Sequence, residues 1–521
     1  MSNKIVKFDH EVRENIRLGI EILSKAVKTT MGPRGKTVLI ERPGLHPIVT
    51  KDGVTVAKSI NLANPFQNLG LQIVKEAASR SAEEAGDGTT TATVLTQALY
   101  ESGLRYISAG IDSVILRNGL EKASEDLLAE LSKLSRKIDN DEDLLNIALV
   151  SCNNEKETAK LIFRAIKSVG SEGSIIVEEA KGYRSDLKIV EGFQVDRGYM
   201  SPYFVTDEDK NQAILEKCHV LILNKKIENI KEVVKPLEAS LESGKPILLI
   251  ANEIDNEALQ GLVLNKLKGN LKVCAIKSPG FGDARHDLLG DIATITGAEV
   301  IDHSHDIDNF DSEWLGECKK IIVDRTGSLF IADNENIKEK IDNRIQVIKD
   351  ALDDPGLETK QREYLNYRLQ RLKGGVAILR VGAATEAEMI ERRDRVDDAL
   401  HATRAALEEG IIPGGGVSLI IASENLSNSS DNPAYAIIKN ACQSPLKQIV
   451  RNTGKSPELV IEKIKENTDA DFGYDARKGI YGNMYELGVI DPHKVVRCAI
   501  QNACSAASLL MTSDCAIVEE K

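Results

Sequence analysis

The sequence predicts a multidomain α and α/β protein in which an α/β domain is inserted into a mostly helical one. Three observations lead there. A chain of 521 residues is too long for a single core. Its hydrophobic periodicity runs helical, then α/β, then helical again. Glycine-rich candidate ligand loops, Gly86–Thr91 and Gly414–Gly416, fall in the two outer segments, as if two halves of one domain share one site.

Taken in order, Glu11 to Thr29 reads as a helix, because Val12, Ile16, Ile20, Leu23 and Val27 recur at three- and four-residue steps. Met31-Gly32-Pro33 should stop it. The run Thr30 to Thr37 is not a P-loop, since Thr30 stands where the pattern needs a glycine. Lys36 to Ile40 is a short strand. Asp52-Gly53, between alternating apolar residues from Ile48 to Val56, signals a hairpin with Lys51 and Asp52 as turn residues. From Ala92 to about Leu134 helix follows helix, with breaks expected at Gly103 and at Ala109 to Asp112; Glu142 to Val169 continues helical.

Strand character begins at Ser174–Glu178 and Leu187–Val190. Val220–Leu223, Ile247–Ala251 and Val273–Ile276 are short buried strands separated by the helical stretches Glu228–Ser243 and Asn256–Leu267, the pattern of a parallel α/β insert. Glu335 to Leu372 is a charged helical pair with a turn at 353–356. Gly375–Val381 returns to strand, Thr385–Gly410 is helical, and Gly414-Gly415-Gly416 opens a final, mostly helical region.

Composition excludes several functions. A net charge of -13 argues against a nucleic-acid binder and against an anionic membrane surface. Aromatic residues are 4% of the chain with one tryptophan, Trp314, so stacking platforms for bases or sugars are not expected. No apolar run reaches the roughly 18 residues of a membrane span, and the charged start of the chain has no signal-peptide core, which predicts a cytoplasmic protein. The eight cysteines form no Cys-x-x-Cys pair and sit mostly among apolar neighbours; they read as reduced, buried small hydrophobes, not as zinc ligands.

The chemistry is densest at Ala85-Gly-Asp-Gly-Thr-Thr-Thr-Ala-Thr93. Its glycines let backbone approach a ligand, and a helix opens at the threonines, so free N–H groups and hydroxyls face one point. That is an anion site, and phosphate is the usual anion. An aspartate inside it would repel phosphates unless a cation lies between, so Asp87 reads as a magnesium ligand. A capped helix start with a solvated acid is the plainer alternative, but three consecutive β-branched threonines are mediocre helix formers and weaken it.

Together with Val49–Val54, Asp398–Ala405, Gly410–Gly416, Ser278–Asp283 and Tyr481–Met484, this stretch resembles the group I chaperonins of the GroEL type, nearly collinearly from Asp9 to about Val518. The resemblance implies an ATPase subunit of three domains. A mostly helical equatorial nucleotide domain would take 1–133 and 409–521, a small α/β intermediate hinge domain 134–190 and 377–408, and an α/β apical substrate domain 191–376. It further implies homo-oligomeric seven-membered rings, single or double, a co-chaperonin lid, non-native client proteins, and ATP with Mg2+ and K+ as cofactors.

Site roles follow by the same resemblance. Thr30, Met31, Gly32, Pro33 and Lys51 would line the phosphates with Gly88, Thr89, Thr90 and Thr91. Asp87 would hold the magnesium, Asp398 would orient the attacking water once its domain swings down, and Asp52 would be the second carboxylate. Gly415, Asp475, Ala476, Arg477 and Asp491 would surround the base and ribose, with Arg477 replacing a small residue. Tyr199, Tyr203, Phe204, Val234, Leu237, Leu259, Val263 and Leu264 would form an exposed apolar rim for clients and lid. Arg197 with Glu386, and Glu155 with Arg395, match switch-like salt bridges.

Two departures stand out. The sequence ends at Val518-Glu519-Glu520-Lys521, without the flexible Gly-Gly-Met repeats that many bacterial members of that family carry. An inter-ring arginine–glutamate pair reads here as Lys447 and Ser456, with a shortened loop near Asn428 to Asn432, which predicts either weakened ring stacking with a single-ring working form or ordinary double rings held by other contacts. A small-molecule kinase and an ATPase-dead scaffold are the rival functions; the first needs an acceptor pocket, and the intact Asp52, Asp87 and Asp398 speak against the second.

Overall fold

The computed structural model describes residues 4–519 apart from 44–46, 139, 153–154, 171–172, 181, 191, 209, 303–304, 306–309, 333–334, 353–356, 358, 374 and 427–431. The expected turn at 353–356, most of the loop at 428–432, the last two residues and the side chain of Glu386 thus lie outside the described residues. The chain divides into two compact units, one of Met1–Phe163, Glu179–Asp186 and Val381–Lys521, the other of Arg164–Glu178 and Leu187–Arg380. The expected equatorial segments fall in the first unit and the expected apical segment in the second, while the expected intermediate segments are shared between them.

The first unit is a helical bundle made by both ends of the chain. Helix Asp9–Val27 buries Val12, Ile16, Ile20, Leu23 and Val27, the stripe its spacing predicts. It shares a core with Pro65–Ala85, Thr89–Ser108 and Ser113–Lys133 from the first half, and with Pro433–Cys442 and His493–Met511 from the last. The N-terminal strand Lys4–Phe8 pairs antiparallel with Cys515–Glu519 in the register Lys4 to Glu519.

Gly103 does not break its helix, which runs from Thr89 to Ser108. A Cβ there would lie 2.3 Å from the Met511 sulfur. The glycine serves close packing between helices, and one buried contact outweighs the modest propensity cost. The next helix starts where a cap is available: Asp112 accepts hydrogen bonds from the N–H groups of Val114 and Ile115.

The second unit is built on a seven-stranded sheet. Ala213–Ile227, Ile247–Ile254 and Val273–Lys277 are parallel neighbours, and Val300–Ile301 runs parallel to the first of them. This is the parallel insert expected, but the other edge is antiparallel, through Gly316–Val323, Ser328–Ile331 and Gly192–Val195. The first of those strands escaped the sequence reading because Cys318-Lys319-Lys320 interrupts its apolar pattern, and the other two are only four residues long. Seven cysteines are buried and Cys515 is exposed; all are free thiols. Burial pushes the Cys152, Cys218 and Cys274 thiols up to about 12, so they behave as apolar packing groups.

One buried ion cluster ties this unit together. Asp291, fully buried on helix Asp283–Thr296, accepts two bonds from Arg368 and one from Arg344, each at 2.8 Å. Both arginines lie on the charged helical pair Glu335–Leu352 and Thr359–Lys373, and Arg368 also reaches Asp287 at 2.8 Å. Removing the shared carboxylate would leave the buried Arg368 with only the more exposed Asp287 as counter-charge. Asp291→Ala should therefore cost this unit about 3–5 kcal/mol in urea unfolding. Trp314, the single tryptophan, lies in the same unit and supplies the fluorescence signal. A loss below about 1 kcal/mol would show that the cluster is surface-like in strength.

Candidate functional site

Two helix N-termini meet at the site, and neighbouring residues explain why. Asp52 was expected in a hairpin turn. The hairpin is instead formed earlier, between Val38–Ile40 and Ile48–Thr50, and Asp52 caps the helix Gly53–Ser59, its two carboxylate oxygens accepting from Val54 N at 2.9 Å and Thr55 N at 2.7 Å. Asp-Gly serves a helix start as well as a turn, and here the orphan N–H groups win the carboxylate. Gly53 permits the close approach: a Cβ would stand 2.2 Å from the Thr90 hydroxyl on the second helix.

That second helix opens at Thr89, as expected, after Gly88 in the left-handed region (φ 97°). The loop before it packs on the helix Glu386–Glu409, where a Cβ on Gly86 would lie 2.1 Å from the Cβ of His401. His401 is three residues beyond Asp398. The Gly86 contact therefore seats the Asp398 helix against the phosphate-type loop.

Every predicted nucleotide-site and catalytic residue lines a single cavity of about 480 Å³. At one end are Thr30, Met31, Gly32, Pro33 and Lys51, the Gly88–Thr91 helix start, and the carboxylates of Asp52, Asp87 and Asp398. At the other are Gly415, Asp475, Ala476, Arg477 and Asp491. Asp398 stands in the cavity wall in this structure. All of these residues belong to the first compact unit.

The far end is held by backbone-to-carboxylate bonds. Asp491 Oδ2 accepts from Gly415 N at 3.0 Å, with Gly415 at φ 67°. Asp475 is buried, and its Oδ1 accepts from the N–H groups of Arg477 and Lys478 at 2.8 and 3.0 Å. The turn thus locked leaves the Arg477 side chain exposed. Sequence reasoning missed the walls between the two ends: Val150, Ser151, Ser418, Ile449, Tyr474 and Leu487 also line the cavity. Ser418 and Tyr474 flank motifs that were noticed, and their buried hydroxyls have no hydrogen-bond partner here. Ser151 carried no local signal at all.

Electrostatically the cavity is acidic and frustrated. Burial, then the nearby charges of Asp87 and Asp52, pushes the Asp398 carboxyl well above its ordinary range. Asp87 exposes surface, but that surface faces the cavity; the surrounding protein raises its pKa, the Gly88 N–H opposes the shift, and Asp52 adds to it. Burial lifts Asp491 to about 6, against the bond from Gly415. Among the described residues, no group of three or more His, Cys, Asp or Glu is arranged to hold a metal ion by itself.

The remaining expected positions divide. Arg395 reaches Glu155 at 3.1 Å, so that pair is formed. Ser456 donates to Glu458 at 2.9 Å. Of the apolar rim, Tyr203 and Leu264 are exposed (64% and 52%), Val234 is just exposed, and Tyr199, Leu259 and Val263 are half-buried against the core. Phe204 and Leu237 correct the expectation of an all-exposed rim. Both are buried in the core of the second unit, because Phe204 ends a short turn that points inward and Leu237 lies on the inner face of Val234–Ser243.

The comparisons with known proteins agree with the fold. The model of the TCP-1/cpn60 chaperonin family matches residues 23–521. Among solved structures, chaperonin gp146 from the bacteriophage EL 2 (Pseudomonas aeruginosa), crystallised in the presence of ATP-BeFx, matches in two crystal forms. One gives a TM-score of 0.71 at 24% identity, covering 99% of this chain and 100% of that one. The other gives 0.64 at 23% identity, covering 99% of each. At that identity the likeness speaks for the fold. With the family model matched over nearly its whole length, the chain belongs to the TCP-1/cpn60 chaperonin family.

Proposed function

We propose that this chaperonin is an ATPase that uses cycles of hydrolysis to enclose and fold non-native polypeptides. The supporting observation is the single cavity that gathers two helix N-termini, five carboxylates and an apolar slot. A nucleoside triphosphate matches those three features in the same order: phosphates, an attendant cation, and a base.

The N–H groups that open at Thr89, the hydroxyls of Thr89, Thr90 and Thr91, and the Lys51 ammonium would hold the phosphates. The base and ribose would lie against Gly415, Ala476 and Asp491, where the unpartnered Ser418 and Tyr474 hydroxyls offer hydrogen bonds. The donor set fits magnesium: it is all oxygen, and too open to bind a metal without phosphate oxygens to complete the shell. Asp87 would hold that ion, which when bound supplies charge neutralisation to the phosphates. K+ is proposed as a second ion from the family resemblance alone. Asp398 is suited to orient a water and, once bound cations favour its ionised form, to accept its proton. Asp52 cannot swing freely, since both its oxygens are engaged by the helix it caps, and it would act as a fixed negative neighbour.

The three-domain division is proposed as the resemblance implies: equatorial 1–133 and 409–521, intermediate 134–190 and 377–408, apical 191–376. Clients and a co-chaperonin lid would meet the apical surface at Tyr203, Val234 and Leu264, with Tyr199, Leu259 and Val263 reached by local repacking. Subunits would assemble as homo-oligomeric seven-membered rings, single or double. With Ser456 turned to Glu458, no inter-ring ion pair with Lys447 is proposed. The phage chaperonin's crystallisation with ATP-BeFx adds support for a nucleotide.

Asp398→Ala should retain ATP binding, measured with a fluorescent nucleotide, while phosphate release falls about 10²–10⁴-fold. Turnover within about threefold of wild type would assign the water to another group. Denatured-enzyme refolding with the same variant links turnover to folding.

The pH dependence has a definite sign. A carboxyl raised in the folded state stabilises it below the usual 3.8, and that contribution is lost as pH rises through about 6. Without ligand, the stability of Asp491→Asn relative to wild type should therefore rise between about pH 4 and pH 7. A flat difference in thermal midpoint would mean that Asp491 ionises normally.

For the client surface, Leu264→Ser and Tyr203→Ser should each weaken capture of a denatured enzyme, read as aggregation suppression, by about tenfold with an unchanged thermal midpoint. Phe204→Ser should instead lower the midpoint of the second unit. Equal capture by all three would move the client surface elsewhere.

A further inference from the structure

The motif Ser278-Pro279-Gly280-Phe281-Gly282 has no part in the cavity described above, which lies in the other compact unit. It follows the third of four parallel strands. In space these run in the order Val273–Lys277, Ile247–Ile254, Ala213–Ile227, Val300–Ile301, so chain order reads third, second, first, fourth. Strand order reverses beside the first strand. In open parallel sheets of this kind, ligands bind outside the carboxyl ends of the strands.

A cavity of about 560 Å³ lies at those ends. Lys225 and Lys226 come from the end of the first strand, Asn252 from the second, and Lys277 from the third. Phe281 and Arg285 close it from the following loop and helix.

Glu228, Glu232 and Glu253 also line the cavity, so four cations face three carboxylates there. Lys225 faces Glu232 at 3.5 Å and Lys226 faces Asp255 at 2.7 Å. Lys277 and Arg285 have no carboxylate partner among the described residues. The Arg285 guanidinium lies 5.8 Å from the Phe281 ring centroid, and its Nε is buried without a hydrogen-bond partner. The amide oxygen of Asn252 is likewise buried and unpartnered. Gly280 and Gly282, both at positive φ (72° and 55°), hold Phe281 71% exposed. A large exposed ring beside two unmatched cations and two unsatisfied polar atoms has the composition of a small-molecule site.

We propose that this crevice binds a planar molecule carrying a phosphate or carboxylate group. The anion would meet Lys277 and Arg285, the ring would stack on Phe281 beside the guanidinium, and a ligand donor would satisfy the Asn252 oxygen. The site is independent of ATP hydrolysis.

The test uses the full chain and two probes, 4-fluorophenyl phosphate and 4-fluorobenzoate, titrated by fluorine NMR. At least one should bind, and Lys277→Ala with Arg285→Ala should weaken it by about tenfold or more, whereas Lys25→Ala, a surface lysine of the other unit, should not. Trp314 fluorescence checks that the double variant remains folded. Preference for one probe identifies the anion. No binding of either probe, or equal binding by wild type and a folded double variant, overturns the proposal.

Discussion

The constraint that organises the first unit is the gathering of acids around one cavity. Asp52, Asp87, Asp398 and Asp491 come from four distant stretches of chain and line one cavity. Burial raises the pKa of Asp87, Asp398 and Asp491, so the fold is less comfortable when they ionise. What opposes this is backbone: the Gly88 N–H on Asp87 and the Gly415 N–H on Asp491. The arrangement is stable enough to exist and still unsatisfied enough to favour a cation. That is the electrostatic signature of a site shaped for use rather than for stability alone.

Much of this was legible in the sequence because the site is made of short segments with strong local chemistry. Gly88 and the threonines mark a helix start wherever they occur, and the Gly414–Gly416 turn has few alternatives. The errors have a common origin in tertiary context. Gly103 looks like a breaker until Met511 is placed against it. Asp52-Gly53 suits a hairpin or a cap, and only the approach of Thr90 selects the cap. The strand Ala213–Ile227 extends well beyond the four residues that announce it, because partners on both sides supply the pairing.

The apolar positions of the second unit teach the same lesson from the other direction. Leu259, Val263 and Leu264 share a helix, yet only Leu264 is open to solvent. Spacing identifies a stripe, but which way the stripe points depends on the sheet beneath. Phe204 and Leu237 turned inward for that reason. The exposed apolar surface is narrower than the motif suggests, and it is bordered by the half-buried Tyr199, Leu259 and Val263.

The pairing of Lys4–Phe8 with Cys515–Glu519 bears on how the molecule is made. A ribosome delivers the first strand and its following helices long before their partners Pro433–Cys442 and His493–Met511 exist. The sheet from Gly192 to Ile331 is complete within one continuous stretch and can consolidate while the rest is still emerging. During that interval the early helices wait with their apolar faces uncovered. A member of a chaperonin family thus passes through a stage in which its own apolar faces need cover.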